Sequence, residues 1–132
     1  FTRVRVRQQV LPLLEKELGP GVAQALARTA ELFREDSSAL DEQASQWFTE
    51  HALFEGEGQG SLEVADLEQM SVALQTRVLR MLVVRVGGGA PTYAHTEQMA
   101  RLLEHWRGQS ALDVSGASVE RVDGRIIARR NV

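Results

Sequence analysis

Hydrophobic residues in the first half of the chain recur every three or four positions, which is the spacing of one face of an α-helix. The stripe they form runs from about residue 21 to about residue 53, and charged residues occupy the opposite side. Its members are Val22, Leu26, Ala30, Phe33, Leu40, Ala44, Trp47 and Phe48. The pattern predicts one helix of about thirty residues, which exceeds the usual length and is typical of a helix that bridges two packed regions.

Breakers of regular structure lie on both sides of this stripe. Residues 2–18 have a helical pattern, but Pro12 lacks a backbone donor and should interrupt the helix there. The sequence GPG at residues 19–21 separates this segment from the long helix. The glycines of EGEGQG, residues 55–60, lack the lysine and the strand-to-helix setting of a phosphate-binding loop, so we predict a linker there.

The second half of the chain combines strand-like and helical patterns. The sequence SLEVADL at 61–67 is a strand candidate, Ser71 is placed to cap a helix over residues 72–86, and Thr92 is placed to cap the next helix. Three glycines at 87–89 end the first of these helices. The residues predicted to face inward are Leu74, Val78, Met81, Leu82, Met99, Leu102, Leu103 and Trp106.

The tail of the chain has the alternation of β-strands. The dipeptide DG at residues 123–124, between strands at 119–122 and 125–128, predicts a two-residue hairpin because both turn positions need a positive φ. Which face of this hairpin is buried stays open, because apolar residues point to both faces. The predicted fold class is mainly α within the α+β class: a long helical arm, then a small domain of two helices with short β-strands and a C-terminal β-hairpin.

Charge is distributed unevenly along the 132 residues. Residues 1–30 carry a net +3, residues 31–68 carry −10 and residues 69–132 carry +4, although the total is only −3. A polyanion could therefore approach either end of the chain but should be repelled by its middle. The zero cysteines exclude disulfides and fit a reducing, cytoplasmic location, and no apolar run is long enough to span a membrane.

Catalytic and metal-binding patterns are weak in this sequence. His51, His95 and His105 are scattered, so no metal site is predicted, and no serine–histidine–acid arrangement stands out. The carboxylates of residues 31–68 fall on a solvated helix face and its loop. The aromatic residues of the helical stripes are predicted to pack in the core, and these are Phe33, Trp47, Phe48 and Trp106.

The opening sequence carries a family resemblance. FTRVRVR at residues 1–7, followed by LPLL at 11–14, resembles the segment that closes the catalytic domain of tRNA(Ile)-lysidine synthetases. ALARTAELFREDSSALDEQA at 25–44 looks like the long helix that follows in that family. Later sequence, including VSGASVERVDGRIIARR, looks like its small C-terminal domain. One departure is Val4, which stands where the family usually has asparagine.

The resemblance implies both an activity and a division of the chain. Residues 1–54 would be the end of the catalytic domain and a long helical linker, and residues 61–132 a small tRNA substrate-binding domain. The whole enzyme would ligate free lysine to the wobble cytidine of a tRNA(Ile) with a CAU anticodon, using ATP with Mg²⁺. An upstream domain would bind that ATP, so this chain would hold no catalytic residue and be inactive alone. A homodimer is left open.

Arginines are the candidate site residues, because guanidinium groups make strong contacts with phosphates. The resemblance implies that Arg3 and Arg7 line the edge of the active site or bind tRNA. On the helix of residues 72–86, Arg77 and Arg80 lie three apart and should share a face. The hairpin adds Arg121, Arg125, Arg129 and Arg130 as tRNA contacts. The alternative for the arginines of the helix and the hairpin is that they solvate the surface or pair with the acidic middle. For Arg3 and Arg7 the alternative is salt bridges at a domain interface.

Two other classes of function remain open from the residues alone. The long amphipathic helix would suit an adaptor that binds a partner protein without RNA. Residues 72–106 could also form the two helices of a DNA-binding regulator, although GGGAPT is longer than the usual turn and the second helix has no basic cluster.

Overall fold

The computed structural model describes all residues, Phe1–Val132. Contacts divide the chain into two compact units, Phe1–Ala39 and Leu40–Val132, which we call the arm and the small unit. The predicted α+β class is confirmed. The helices are α1 (Thr2–Arg5), α2 (Leu11–Leu18), α3 (Val22–His51), α4 (Val64–Leu67), α5 (Val72–Arg85) and α6 (Tyr93–Glu104). The strands are β1 (Leu53–Phe54), β2 (Gln59–Glu63), β3 (Leu112–Val114), β4 (Ala117–Val122) and β5 (Arg125–Arg130).

The arm shows how the chain passes the predicted break at Pro12. A π-helical turn, Val6–Val10, joins α1 to α2, and Pro12 lies in the first turn of α2, where its missing donor costs little. Gly19 then ends α2 with a φ of 100°. The Glu15 carboxylate accepts hydrogen bonds from the amides of Gly21 and Ala23, both at 2.9 Å, and so caps the start of α3.

The small unit is an antiparallel sheet with α5 and α6 on one face. Its strand order is β1-β2-β5-β4-β3. In β2, β3, β4 and β5, alternate residues point to the covered face and are buried, as in Leu62, Val119 and Ile126. From the helices come the buried partners Val78, Leu79, Leu82, Val83, Met99 and Leu102. The sheet therefore determines which strand side chains face the helices and which face outward.

The predicted hairpin at residues 123–124 is confirmed. Asp123 and Gly124 have φ angles of 51° and 75°, and β4 and β5 pair on either side. The face left open from sequence is now defined, because Val119 and Ala128 are directly opposite and both buried. The helix predictions for 72–86 and for the residues after Thr92 are also confirmed. Thr92 caps α6 by accepting from the His95 amide at 3.1 Å, whereas Ser71 precedes α5 without a side-chain cap bond.

Several local predictions were wrong. EGEGQG is a hairpin loop between β1 and β2 rather than a linker, and its last two residues belong to β2. The strand expected at 61–67 ends at Glu63, after which Val64–Leu67 forms a helical turn that buries Val64 and Leu67. Its alternation was misleading because a short helical turn can bury the same residues.

Two aromatic residues also depart from the core prediction. Phe33 is 69% exposed and Trp106 is 37% exposed, whereas Trp47 and Phe48 do pack against the core. Periodicity identified the apolar face of α3 but could not say what covers it. No helix has the combination of length and apolar character needed to cross a membrane.

The connection from α5 to α6 contains a glycine that the packing requires. A Cβ on Gly88 would lie 2.9 Å from the Val83 carbonyl oxygen and 3.1 Å from that of Ser115. We expect Gly88→Ala to lower the free energy of unfolding by about 1–3 kcal/mol, the usual cost of overpacking. Gly89→Ala is the matched control, since its Cβ would meet nothing closer than 3.7 Å. Urea unfolding of both variants checks this, and equal midpoints would contradict it.

Candidate nucleic-acid interface

Arg77 lies in a network that ties α5 to α3. Its Nε donates to Asp41 Oδ1 at 2.8 Å, and its Nη1 donates to the Ala73 carbonyl at 2.9 Å. Arg80, predicted to share a surface with Arg77, is exposed and instead lines a groove between α5 and α6. The three-residue spacing therefore does not bring the two guanidinium groups to one site.

Two of the hairpin arginines make ion pairs on the sheet face that α5 and α6 leave uncovered. Arg125 contacts Glu63 at 2.6 Å and donates to Ser61 Oγ at 2.9 Å. Arg129 contacts Glu120 at 2.6 Å and donates to Gln59 at 3.0 Å. Both pairs join neighbouring strands, so these guanidinium groups already have carboxylate partners. Pairing with the acidic middle, the alternative raised from sequence, occurs at Arg77 and Arg125.

Arg121 points to the covered side of the sheet, at the end of α6. Its Nη1 donates to the Leu102 carbonyl at 2.9 Å, and its guanidinium carbon lies 5.2 Å from the centre of the Trp106 ring. A cation at a helix C-terminus complements the negative end of the helix dipole. This arrangement stabilises the end of α6.

The exposed arginines of the small unit that make no ion pair form a separate set. They are Arg80, Arg85, Arg101, Arg107 and Arg130. Arg80 and Arg101 line the same groove, whose volume is about 590 Å³. His105, Glu97 and Glu104 also line it, so the groove offers guanidinium groups within a mixed rather than a purely basic rim.

Arg85 and Arg130 line a second cavity, of about 400 Å³, at the C-terminal end of α5. The Arg85 guanidinium lies 5.2 Å from the centre of the Phe54 ring. Glu57 also faces this cavity, and the end of α5 contributes the negative pole of its dipole. Two guanidinium groups and one carboxylate thus line this cavity, whereas two guanidinium groups and two carboxylates line the groove between α5 and α6.

In the arm, Arg3 and Arg7 are both exposed and make no ion pair. Arg3 belongs to α1 and Arg7 to the π-helical turn that follows, so both lie on one continuous helical segment. Their guanidinium groups are available to a partner.

The histidines have structural contacts. His51 stacks on Trp47 with ring centres 4.3 Å apart, and His105 is the C-cap residue of α6. His95 Nδ1 lies 3.2 Å from Ser115 Oγ, which donates to the Ala90 carbonyl at 3.3 Å. The Ser115 hydroxyl thus links the first turn of α6 to the loop that precedes it. No group of three or more potential metal ligands comes together.

Sequence reasoning missed Arg101 as a member of the site. Helical periodicity places it away from the buried residues of α6, but nothing local indicates that it faces Arg80 across a groove. The tertiary packing of α5 against α6 creates that relation. Recognising it from sequence requires knowing that the two helices pack against each other, which the sequence alone does not establish.

The fold and the site define a small α+β domain joined to a long helix, with unpaired arginines along an interhelical groove. The family described as TilS substrate binding domain matches residues 62–127, and the chain belongs to this family. The tRNA(Ile)-lysidine synthase of Leifsonia xyli subsp. xyli is 45% identical over 124 residues, covering 94% of this chain and 37% of that protein. The protein of the same name from Thermobifida fusca is 44% identical, covering 96% of this chain and 39% of that protein. The chain thus spans less than half the length of these relatives.

Tyr93 at the rim of the groove gives a direct test of the local geometry. Its hydroxyl donates to Glu97 at 3.0 Å, and this hydrogen bond together with the carboxylate charge raises the pKa of Tyr93. We expect Glu97→Gln to lower that pKa, because ionising the phenol then no longer places two negative charges side by side. Tyr93 is the single tyrosine, so tyrosinate absorbance against pH reports it alone. Glu104→Gln is the control, and an equal shift in both variants would contradict the pairing.

Proposed function

We propose that this chain is the tRNA-binding and tRNA-positioning part of a tRNA(Ile)-lysidine synthetase. The whole enzyme joins lysine to the wobble cytidine of tRNA(Ile) with a CAU anticodon, uses ATP with Mg²⁺, and works in the cytoplasm. This changes both the codon that the tRNA reads and the amino acid that it accepts. Family membership and the names of the relatives support the proposal, since each relative cited above is named tRNA(Ile)-lysidine synthase.

The residues of this chain do not fit an ATP site. The glycine-rich loop lies between two strands rather than before a helix N-terminus, and Glu57 lines the cavity beside it. It contains no lysine to neutralise phosphates. We therefore assign ATP, Mg²⁺ and the bond-forming step to another part of the enzyme, with this chain contributing substrate binding.

The observation that carries the proposal is the pair of unpaired arginines in the groove between α5 and α6. Arg80 and Arg101 are exposed, lack carboxylate partners and line one space. Guanidinium groups in this state can contact phosphates without first breaking an ion pair. Arg121 and Arg125 are secondary candidates for tRNA contact, because each already has a partner within the protein, and Arg77 is held by Asp41 and the Ala73 carbonyl.

Removing the groove arginines tests this directly. In the full-length enzyme we expect Arg80→Gln and Arg101→Gln each to weaken tRNA binding about tenfold, the scale of one charge-assisted hydrogen bond. Each should also reduce the slope of log affinity against log salt by about one. Filter binding or fluorescence anisotropy over a salt series measures both quantities.

Arg129→Gln is the matched control, because it removes the same charge from an arginine paired with Glu120. We expect a smaller loss of affinity for this variant. If it weakens binding as much as the groove variants, or if neither groove variant has an effect, the groove is not the RNA contact.

The exposed arginines of the arm are proposed to act at the edge of the active site. Arg7→Ala in the full-length enzyme should raise the KM for tRNA or for ATP, because an unpaired guanidinium near the reacting groups would be lost. Arg5→Ala is the control, because Arg5 is a neighbouring exposed arginine to which the resemblance assigns no role. Unchanged steady-state kinetics for both substrates in Arg7→Ala would remove this role.

A protein-binding adaptor is the second candidate, favoured by the exposed apolar residues of α3. Leu26 and Phe33 are 50% and 69% exposed on the same stripe. An adaptor would bind a protein through this face and ignore RNA. Binding of tRNA that weakens steeply with salt favours the first proposal, whereas salt-insensitive self-association without tRNA binding favours the second.

A further inference from the structure

The ion pair between Arg77 and Asp41 joins α5 to the end of α3 that belongs to the small unit. Arg77 is 20% exposed and Asp41 is 61% exposed, with Nε and Oδ1 2.8 Å apart. The second contact of Arg77, to the Ala73 carbonyl, holds the guanidinium against its own helix. Because the Ala73 contact also orients the guanidinium, the ion pair restrains the orientation of α3 relative to α5 as well as the distance between them.

The other contacts of α3 within the small unit are mostly apolar. Ala44 is fully buried, and Trp47 and Phe48 pack against the core. Few close backbone contacts join α3 to the sheet or to α5. Apolar burial is non-directional, so it opposes separation of the helix more than its rotation. The ion pair lies one turn before Ala44 and adds a directional restraint to this apolar contact.

We infer that Arg77 and Asp41 are positioning residues, which hold residues 40–51 of α3 in one orientation on the small unit. The molecule that they would position is tRNA bound to the small unit, and this part of the inference rests on the proposed function. The restraint itself is a property of the protein. Arg77 acts through Asp41 and α3, and the exposed arginines make the phosphate contacts.

Single and reciprocal substitutions in the full-length enzyme test this inference. Asp41→Asn and Arg77→Ala should each lower kcat for lysidine formation about tenfold, since small misplacement of a substrate is costly. The Kd for tRNA should change by less than about twofold, because in this scheme phosphate contacts set it. The exchange Asp41→Arg with Arg77→Asp should recover part of the lost rate. Glu42→Gln is the matched control, since this neighbouring carboxylate has no ion pair.

Hydrogen–deuterium exchange gives a readout that is independent of activity. Amides of residues 40–51 should exchange faster in both single variants and return toward the original rate in the reciprocal variant. Asp41→Asn alters an exposed carboxylate, so it keeps the test informative if Arg77→Ala unfolds. Unchanged exchange in Asp41→Asn overturns the inference, and so does a raised Kd for tRNA in Arg77→Ala without any effect of Asp41→Asn. If the wild-type enzyme makes no lysidine, the proposed function is overturned instead. Hydrogen–deuterium exchange would still decide the role of the ion pair.

Discussion

The covering of one face of the five-stranded sheet by α5 and α6 is the constraint on which the rest of the structure depends. Strand residues alternate between faces, so burying Leu62 and Ile126 determines where every neighbour points. This alternation divides the arginines of the terminal hairpin. Arg121 faces inward to the end of α6, whereas Arg125 and Arg129 face outward, beside the glutamates of neighbouring strands. Their roles follow from strand position more than from residue type.

Folding also changes the meaning of the charge pattern. Residues 69–132 are basic in isolation, with a net +4, but the small unit has nine arginines against thirteen acidic residues. Asp41 and Glu63 come from the acidic middle and neutralise Arg77 and Arg125. Beyond a screening length of about 8–10 Å, a polyanion therefore experiences little attraction to this unit as a whole. Attraction must come from the local set of unpaired guanidinium groups.

Signals that act over a few residues were sufficient to predict much of the fold. The cap at Thr92, the turn at 123–124 and the period of α5 each depend on neighbours in sequence. Features that depend on distant partners were not predictable. The pairing of β1 with β2 across a glycine-rich loop, the exposure of Phe33 and the meeting of Arg80 with Arg101 all require tertiary packing. The sequence thus predicted that arginines form the candidate site, but it identified only some of these arginines.

This division of the arginines has a consequence for selectivity. A phosphate that binds a paired arginine such as Arg125 must displace Glu63 or approach its carboxylate, and in both cases the carboxylate repels the phosphate. Binding there gains little, so paired arginines contribute weakly to affinity for any polyanion. Under the proposed function, a unit of net negative charge would hold only an RNA whose phosphates coincide with its few unpaired guanidinium groups. Weak general attraction combined with a few fixed contacts would favour one folded RNA over nucleic acid in general, as the proposed action on a single tRNA requires.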